Sequence, residues 1–264
     1  MKKIAALILA GMMVMSMAAC GSKQTSKTAD SDLEYVKEKG TLIVGMTDFA
    51  PMDYQEDGEW VGFDADNAKA FAEKLGVECQ FIEINWDSKI NELNSKSVDC
   101  LWNGMTITDE VKNAMEPSNP YCKNGQIIVV KSDVADQYQT ADDCKDLKFA
   151  VESGSAGEDA AAECGFDYIT VTTQADALME VSAGTSDACI IDLLMAGAMV
   201  GKGTSYEDMT TTALLTEEDY GVGFRKGSDL AKALNEFFVE IYKDGSLTER
   251  ANQYGVQDSL IEQK

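Results

Sequence analysis

The sequence predicts an α/β fold of two lobes joined by two crossover strands. Short apolar runs alternate with helix-like segments, the order that builds mainly parallel sheets. This alternation occurs twice, over 41–102 and again over 147–201. Two further extended runs, 126–130 (QIIVV) and 220–224 (YGVGF), lie between and after the halves. A chain that crosses out once and returns once places 33–126 and 221–264 in a first lobe and inserts 127–220 as a second. A cleft between such lobes closes on a ligand by hinge motion.

The elements follow in order. Residues 33–39 read as a short helix stopped by Gly40, and 41–46 (TLIVGM) as a buried strand. Residues 47–52 form a loop with its turn at Ala50-Pro51, and Asp57-Gly58 marks a hairpin within 54–61. Residues 64–75 put Ala65, Ala68, Phe71, Ala72 and Leu75 on one helical face, closed by Gly76. A strand at 77–84, a short helix at 89–93 and a strand at 98–102 complete the first half. The second half reads as strands at 147–152, 167–172 and 188–191, with helices at 155–163, 174–183 and 193–201. Helices at 231–242 and 246–254 close the chain.

The N-terminus carries its own signal. Lys2 and Lys3 precede an apolar run that ends in Met17-Ala18-Ala19-Cys20, the pattern of a secretory signal peptide over 1–19. The run is too short for a comfortable membrane span. A cysteine directly after small residues reads as a bacterial lipobox, with Cys20 lipidated and 20–32 serving as a flexible tether. The expected location is the outer face of the cytoplasmic membrane, with Cys20 as the only membrane attachment.

The 264-residue chain has 46 acidic against 22 basic residues, a formal charge of −24. That balance argues against nucleic-acid partners and anionic lipid surfaces. It contains no histidine, and its seven cysteines form no C-x-x-C, so neither a metal site nor a cofactor is expected. Cys79, Cys100, Cys122, Cys144, Cys164 and Cys189 are read as mostly free, buried thiols.

The most informative stretch is 99–111, DCLWNGMTITDEV. An apolar run stops at Asn103-Gly104, small hydrogen-bonding residues follow, and acidic residues open a helix. A strand end feeding such a turn is where α/β proteins hold small molecules. Gly104 allows close backbone approach, and Thr108 suits a helix cap. A second turn, Gly154-Ser155-Ala156-Gly157, lies between strand and helix, where free amides attract an anion. Asp192 ends a strand where an acid is unexpected on apolar grounds, and Glu152 is a further candidate for the cleft.

These segments, in this order behind a lipobox, resemble the polar-amino-acid substrate-binding proteins of ABC importers, family 3 of the bacterial extracellular solute-binding proteins. The likeness covers 41–54 (TLIVGMTDFAPMDY), 61–75, 98–108, 119–130, 149–157 (FAVESGSAG), 187–192 and 220–227. The resemblance implies the type II periplasmic-binding-protein fold and a lipoprotein that delivers a small polar solute to the transmembrane subunits of a permease. It implies an aromatic lid at Phe49 and an apolar wall at Trp86. Asn103, Gly104, Met105 and Thr106 would line the ligand. Ser155 and the Ala156 amide would hold its carboxylate, and Asp192 would pair with its amine. Trp102 is read as either core or site.

Val111 departs from the pattern. The family places there an arginine that grips the ligand carboxylate with two prongs. Only Arg225 and Arg250 occur in this chain, neither placed to substitute. Removing a buried charged partner typically costs about 2–5 kcal/mol. The ligand is therefore an amino acid held more weakly at Gly154, or an amine without an α-carboxylate, such as a polyamine or decarboxylated amino acid. Competing classes are an enzyme on the same fold, for example a dehydratase, and a sensor. The absence of histidine removes the commonest general base, no catalytic motif occurs, and no catalytic residue is assigned.

Overall fold

The structure, a computed structural model, describes residues 31–264. The expected signal peptide, the expected lipidation site at Cys20 and nearly all of the expected tether lie outside the described residues. The described chain runs α1 (Asp32–Lys39), β1 (Thr41–Met46), a hairpin of β2 (Tyr54–Glu56) and β3 (Glu59–Val61), α2 (Phe63–Leu75) and β4 (Glu78–Glu83). A 3₁₀ turn, Trp86–Ser88, leads into α3 (Lys89–Asn94), followed by β5 (Cys100–Thr106), α4 (Asp109–Ala114), β6 (Met115–Pro117) and β7 (Cys122–Asn124). The inserted part holds β8 (Gln126–Lys131), β9 (Lys148–Glu152), α5 (Ala156–Cys164), β10 (Asp167–Val171), α6 (Gln174–Ala183), β11 (Ala188–Asp192), α7 (Leu193–Met199) and β12 (Met209–Leu214). The return supplies β13 (Glu218–Arg225), α8 (Leu230–Lys243) and α9 (Ser246–Gln253).

Local chemistry sets many of these boundaries. Ser31 caps α1, Thr108 caps α4 and Ser155 caps α5, each side chain accepting a first-turn amide. Thr173 and Asp176 form a reciprocal capping box on α6. In α8, Leu230, Leu234, Phe237, Phe238 and Ile241 fall on one buried face. Each such side chain contributes about 1.5–3 kcal/mol when fully buried.

Two sheets result. The first has the order β4-β1-β5-β13-β6, with β7 also paired to β13. The second has the order β10-β9-β11-β8-β12. Each is parallel at one side and turned antiparallel by the crossover strands: β13 against β5, β6 and β7, and β8 against β11 and β12. β7 and β8 are separated only by Gly125, and β12 and β13 by residues 215–217. The two crossovers touch, the Leu215 amide donating to the Gln126 carbonyl at 2.8 Å.

Three sequence expectations change here. Gln126 pairs with Asp192 in the second sheet, and Glu218–Tyr220 pair with 122–124 in the first. The crossings therefore fall at Gly125 and 215–217, because β13 starts where β7 offers an antiparallel partner. β5 does not end at Trp102 in a turn. It continues to Thr106 along β13 with a bulge opposite Gly221–Gly223, since the distant strand supplies hydrogen-bond partners that local sequence does not reveal. The short strands β6, β7 and β12 carry no local signal and were not read from the sequence.

The main apolar cluster joins α2, α8 and the first sheet. Trp102 lies there fully buried, its ring 6.3 Å from Phe71 and 5.6 Å from Phe238, both edge-on. Cys79, Cys100, Cys122, Cys144, Cys164 and Cys189 are all free thiols, four of them buried. Among the described residues no helix is long and apolar enough to cross a membrane.

Candidate functional site

A narrow cavity lies between the two sheets. The first sheet's side supplies Asn103, Gly104, Met105 and Thr106 from β5, Thr108, Glu110 and Val111 around α4, and Trp86 and Lys89 at α3. The second supplies Glu152, Gly154, Ser155, Ala156 and Asp159 around the β9–α5 turn, with Gln174 and Asp192. The tertiary fold thus gathers every sequence-predicted binding residue except Phe49 around one cavity. Phe49 is buried behind β5 instead, its ring edge-on to Tyr220 at 6.3 Å. A Cβ on Gly104, whose φ is +54°, would lie 2.4 Å from the Phe49 ring. Phe49 therefore supports the cavity floor through Gly104 rather than lining the cavity.

On the first lobe most polar groups are already engaged. The Asn103 side chain accepts from the Thr47 amide and hydroxyl and donates to the Thr47 carbonyl and to Asp53. The Gly104 amide donates to buried Asp64 at 2.7 Å. The Thr106 hydroxyl, on a residue expected to line the ligand, donates to Glu218 at 2.9 Å. Val111 is buried in an apolar cluster with Trp86, Leu93 and Met105. Of the two arginines, neither lines this cavity, and Arg225 is engaged elsewhere. It holds Asp32 at 2.9 Å and donates to the Val98 carbonyl at 2.9 Å, beneath the first lobe. Arg250 donates to Asn67.

The second lobe presents the acids. Asp192 accepts at Oδ1 from Gln126 at 3.0 Å, from the Tyr220 hydroxyl at 2.7 Å and from Asn124, and at Oδ2 from Gln174. Its amide donates to Gln174 Oε1 at 2.8 Å, so both faces of that amide side chain are spent on positioning Asp192. Burial, then the Glu218 carboxylate, push Asp192 up to about 7. Glu152 is different: its Oε1 is buried with no hydrogen-bond partner among the described residues. Burial, then the Asp192 carboxylate, push Glu152 up to about 8. A positive group entering the cavity would stabilise both ionised forms.

Lys89 is the main residue that sequence reasoning missed. Its Nζ crosses the cleft and donates to the Gly154 carbonyl at 2.7 Å, passing over the Trp86 ring at 5.5 Å. Burial pulls its ammonium below the ordinary value, against the opposing pull of Glu110, Asp159, Glu152 and Asp87. The sequence does contain a signal. Lys89 opens a helix, the end at which the helix dipole disfavours a cation, and stands three residues after Trp86, where both reach one face. Beside it, Ser155 caps α5 through the Glu158 amide at 3.1 Å. Ala156, the first residue of α5, lines the cavity next to it. The cavity therefore has an acidic pole at Glu152 and Asp192 and an anion-receptive pole at Lys89 and the start of α5.

Comparison with known proteins gives a consistent picture. The profile of the bacterial extracellular solute-binding proteins, family 3, matches residues 42–257. The L-cystine-binding protein TcyJ of Escherichia coli K12 is 34% identical over 240 residues, covering 89% of this chain and 90% of that protein. The arginine-binding extracellular protein ArtP of Bacillus subtilis is 31% identical, covering 94% and 95%. The crystal structure of the ancestral amino acid-binding protein AncCDT-1, a precursor of cyclohexadienyl dehydratase, superposes with a TM-score of 0.77 at 33% identity, covering 85% of this chain and 99% of that one.

Proposed function

The chain belongs to family 3 of the bacterial extracellular solute-binding proteins, the amino-acid receptors of ABC importers, and from that premise we propose that it captures a small solute with two cationic centres. One observation carries this reading. The cavity walls hold four carboxylates, Glu110, Glu152, Asp159 and Asp192, against one cation, Lys89. A zwitterion with a neutral side chain leaves that excess uncompensated, and a second cationic group offsets it. The arginine-binding relative supports this charge count, since arginine carries an ammonium and a guanidinium against one carboxylate, whereas cystine's two ammoniums are balanced by two carboxylates. A primary ammonium would sit against Glu152, whose buried oxygen lacks a partner, with Asp192 held rigid behind it.

On this reading the lobes close over the solute, a permease accepts it, and the protein performs no chemistry on it. Cys20 supplies the lipid anchor, so Cys20→Ala should release the protein into the medium. Isothermal titration of the full chain in detergent against L-arginine, L-lysine, L-cystine, L-leucine and L-glutamate tests the solute class. At least one of L-arginine, L-lysine and L-cystine, each with two cationic groups, should bind 100-fold more tightly than leucine and glutamate. Equal or tighter binding of leucine or glutamate would overturn the reading.

A further inference from the structure

Glu218 opens β13 directly after the second crossover and does not line the cavity, yet both lobes converge on it. Its Oε1 accepts from the Thr106 hydroxyl at 2.9 Å and from the side-chain nitrogens of Asn124 and Gln126, each at 2.7 Å. Thr106 ends β5 of the first sheet, Gln126 opens β8 of the second, and Asn124 stands just before the first crossover. The same two nitrogens donate to Asp192 Oδ1, that of Gln126 at 3.0 Å. An amide nitrogen carries two protons, so each side chain spends one on Asp192 and the other on Glu218. Asn124 and Gln126 are both buried, and the Gln126 Oε1 has no partner among the described residues. Its nitrogen alone therefore fixes the Gln126 side chain. The two ends of an amide have nearly the same shape, so the second acceptor decides which end faces Asp192. A reversed amide would set an oxygen against the carboxylate, and both would lose their bond in a buried place. Among the described residues no lysine or arginine lies within ion-pair distance of Asp192 or Glu218.

We propose that Glu218 is a positioning residue for solute capture. By taking the second proton of Asn124 and Gln126 it keeps both nitrogens on Asp192 and so keeps Asp192 fixed at the acidic pole of the cavity. Through Thr106 it ties that second-lobe carboxylate to the strand that forms the first lobe's side of the cavity. It acts without touching the solute. The inference rests on the dicationic reading given above, because the pole it holds is the one that receives a cation.

The test is isothermal titration of the full chain in detergent with whichever of L-arginine, L-lysine and L-cystine binds the wild type most tightly. Glu218→Met removes the acceptor at similar length, and affinity should fall about tenfold or more. Glu218→Gln should bind about fivefold or more tighter than Glu218→Met, because its Oε1 still accepts and its nitrogen can donate to the Thr216 hydroxyl, which lies 3.3 Å from Oε2. Gln126→Met should also weaken binding, and the Glu218→Met, Gln126→Met double variant should stay within about threefold of the weaker single one, since both act through Asp192. Should Glu218→Met not fold, Glu218→Ala carries the same expectations. A smaller loss in Glu218→Met, a smaller recovery in Glu218→Gln, or a larger loss in the double variant would each overturn the proposal and leave the dicationic reading standing. Leucine or glutamate binding the wild type as tightly as the three panel members would defeat that reading, and this proposal with it.

Discussion

Replacing Gly154 by alanine would put a methyl group where the two lobes meet. A Cβ built there stands 2.6 Å from the Asp87 Cα and 3.0 Å from the Asp87 nitrogen, backbone atoms that no side-chain rotation can move aside. Ordinary contact begins at 3.4 Å, so the lobes must part locally by about 0.8 Å. That displacement lengthens the Lys89–Gly154 bond from 2.7 Å toward the limit of hydrogen bonding. A hydrogen bond to a charged group contributes about 1.5–3 kcal/mol, so affinity should fall roughly 10- to 100-fold. A second effect is separable. Gly154 has φ +73°, and a side chain in that conformation costs about 1–2 kcal/mol whether the cleft is open or closed. Urea unfolding of the ligand-free chain reads this strain, and titration with the tightest amino acid of the panel reads the closure term. An affinity within twofold of wild type would refute the argument that close backbone approach of Gly154 to Asp87 is required for the closed cleft.

Three further outcomes follow from buried charge. Glu152→Gln removes a carboxylate with an unpartnered oxygen, so L-arginine affinity should fall at least tenfold by titration. The urea midpoint at pH 8 should hold or rise, and an unchanged affinity would place the solute cation elsewhere. Asp64 and Asp192 are pushed by burial from 3.8 up to about 7, so the folded state holds these protons more tightly than the unfolded one. Their stabilisation is complete below about pH 4 and is lost as pH rises through about 7, at most about 1.4 kcal/mol per pH unit for each group. The ligand-free urea midpoint should therefore be lower at pH 8 than at pH 5, and a rise over that range would mean both are ionised in the native protein. Arg225→Met strands the buried carboxylates of Asp32 and Asp99 and should cost about 3–5 kcal/mol in urea unfolding, with solute affinity nearly unchanged in the folded fraction. A loss below about 1 kcal/mol would show that Asp99 is sufficiently served by Lys39, 2.6 Å away.

The sequence by itself determined the two-lobed α/β order, because apolar periodicity, caps and turn residues act over a few positions. Thr108, Ser155 and Thr173 each cap the helix that follows them, and Asp57-Gly58 turns a hairpin. It also named most of the cavity lining, since strand ends and helix starts converge there in this architecture. What only the tertiary structure decided was the use of each group. Asn103, Gly104 and Thr106 spend their donors on Asp53, Asp64 and Glu218, residues 40 to 112 positions away, and no local pattern reveals such partners. Phe49 went behind the cavity because Gly104 leaves room for its ring. Lys89 became the cation of the cleft through a bond to a carbonyl 65 residues away. The missing arginine at Val111 was legible in one dimension. Which charges share the cavity with Val111 was not, because that depends on which side chains two separately built lobes bring within reach.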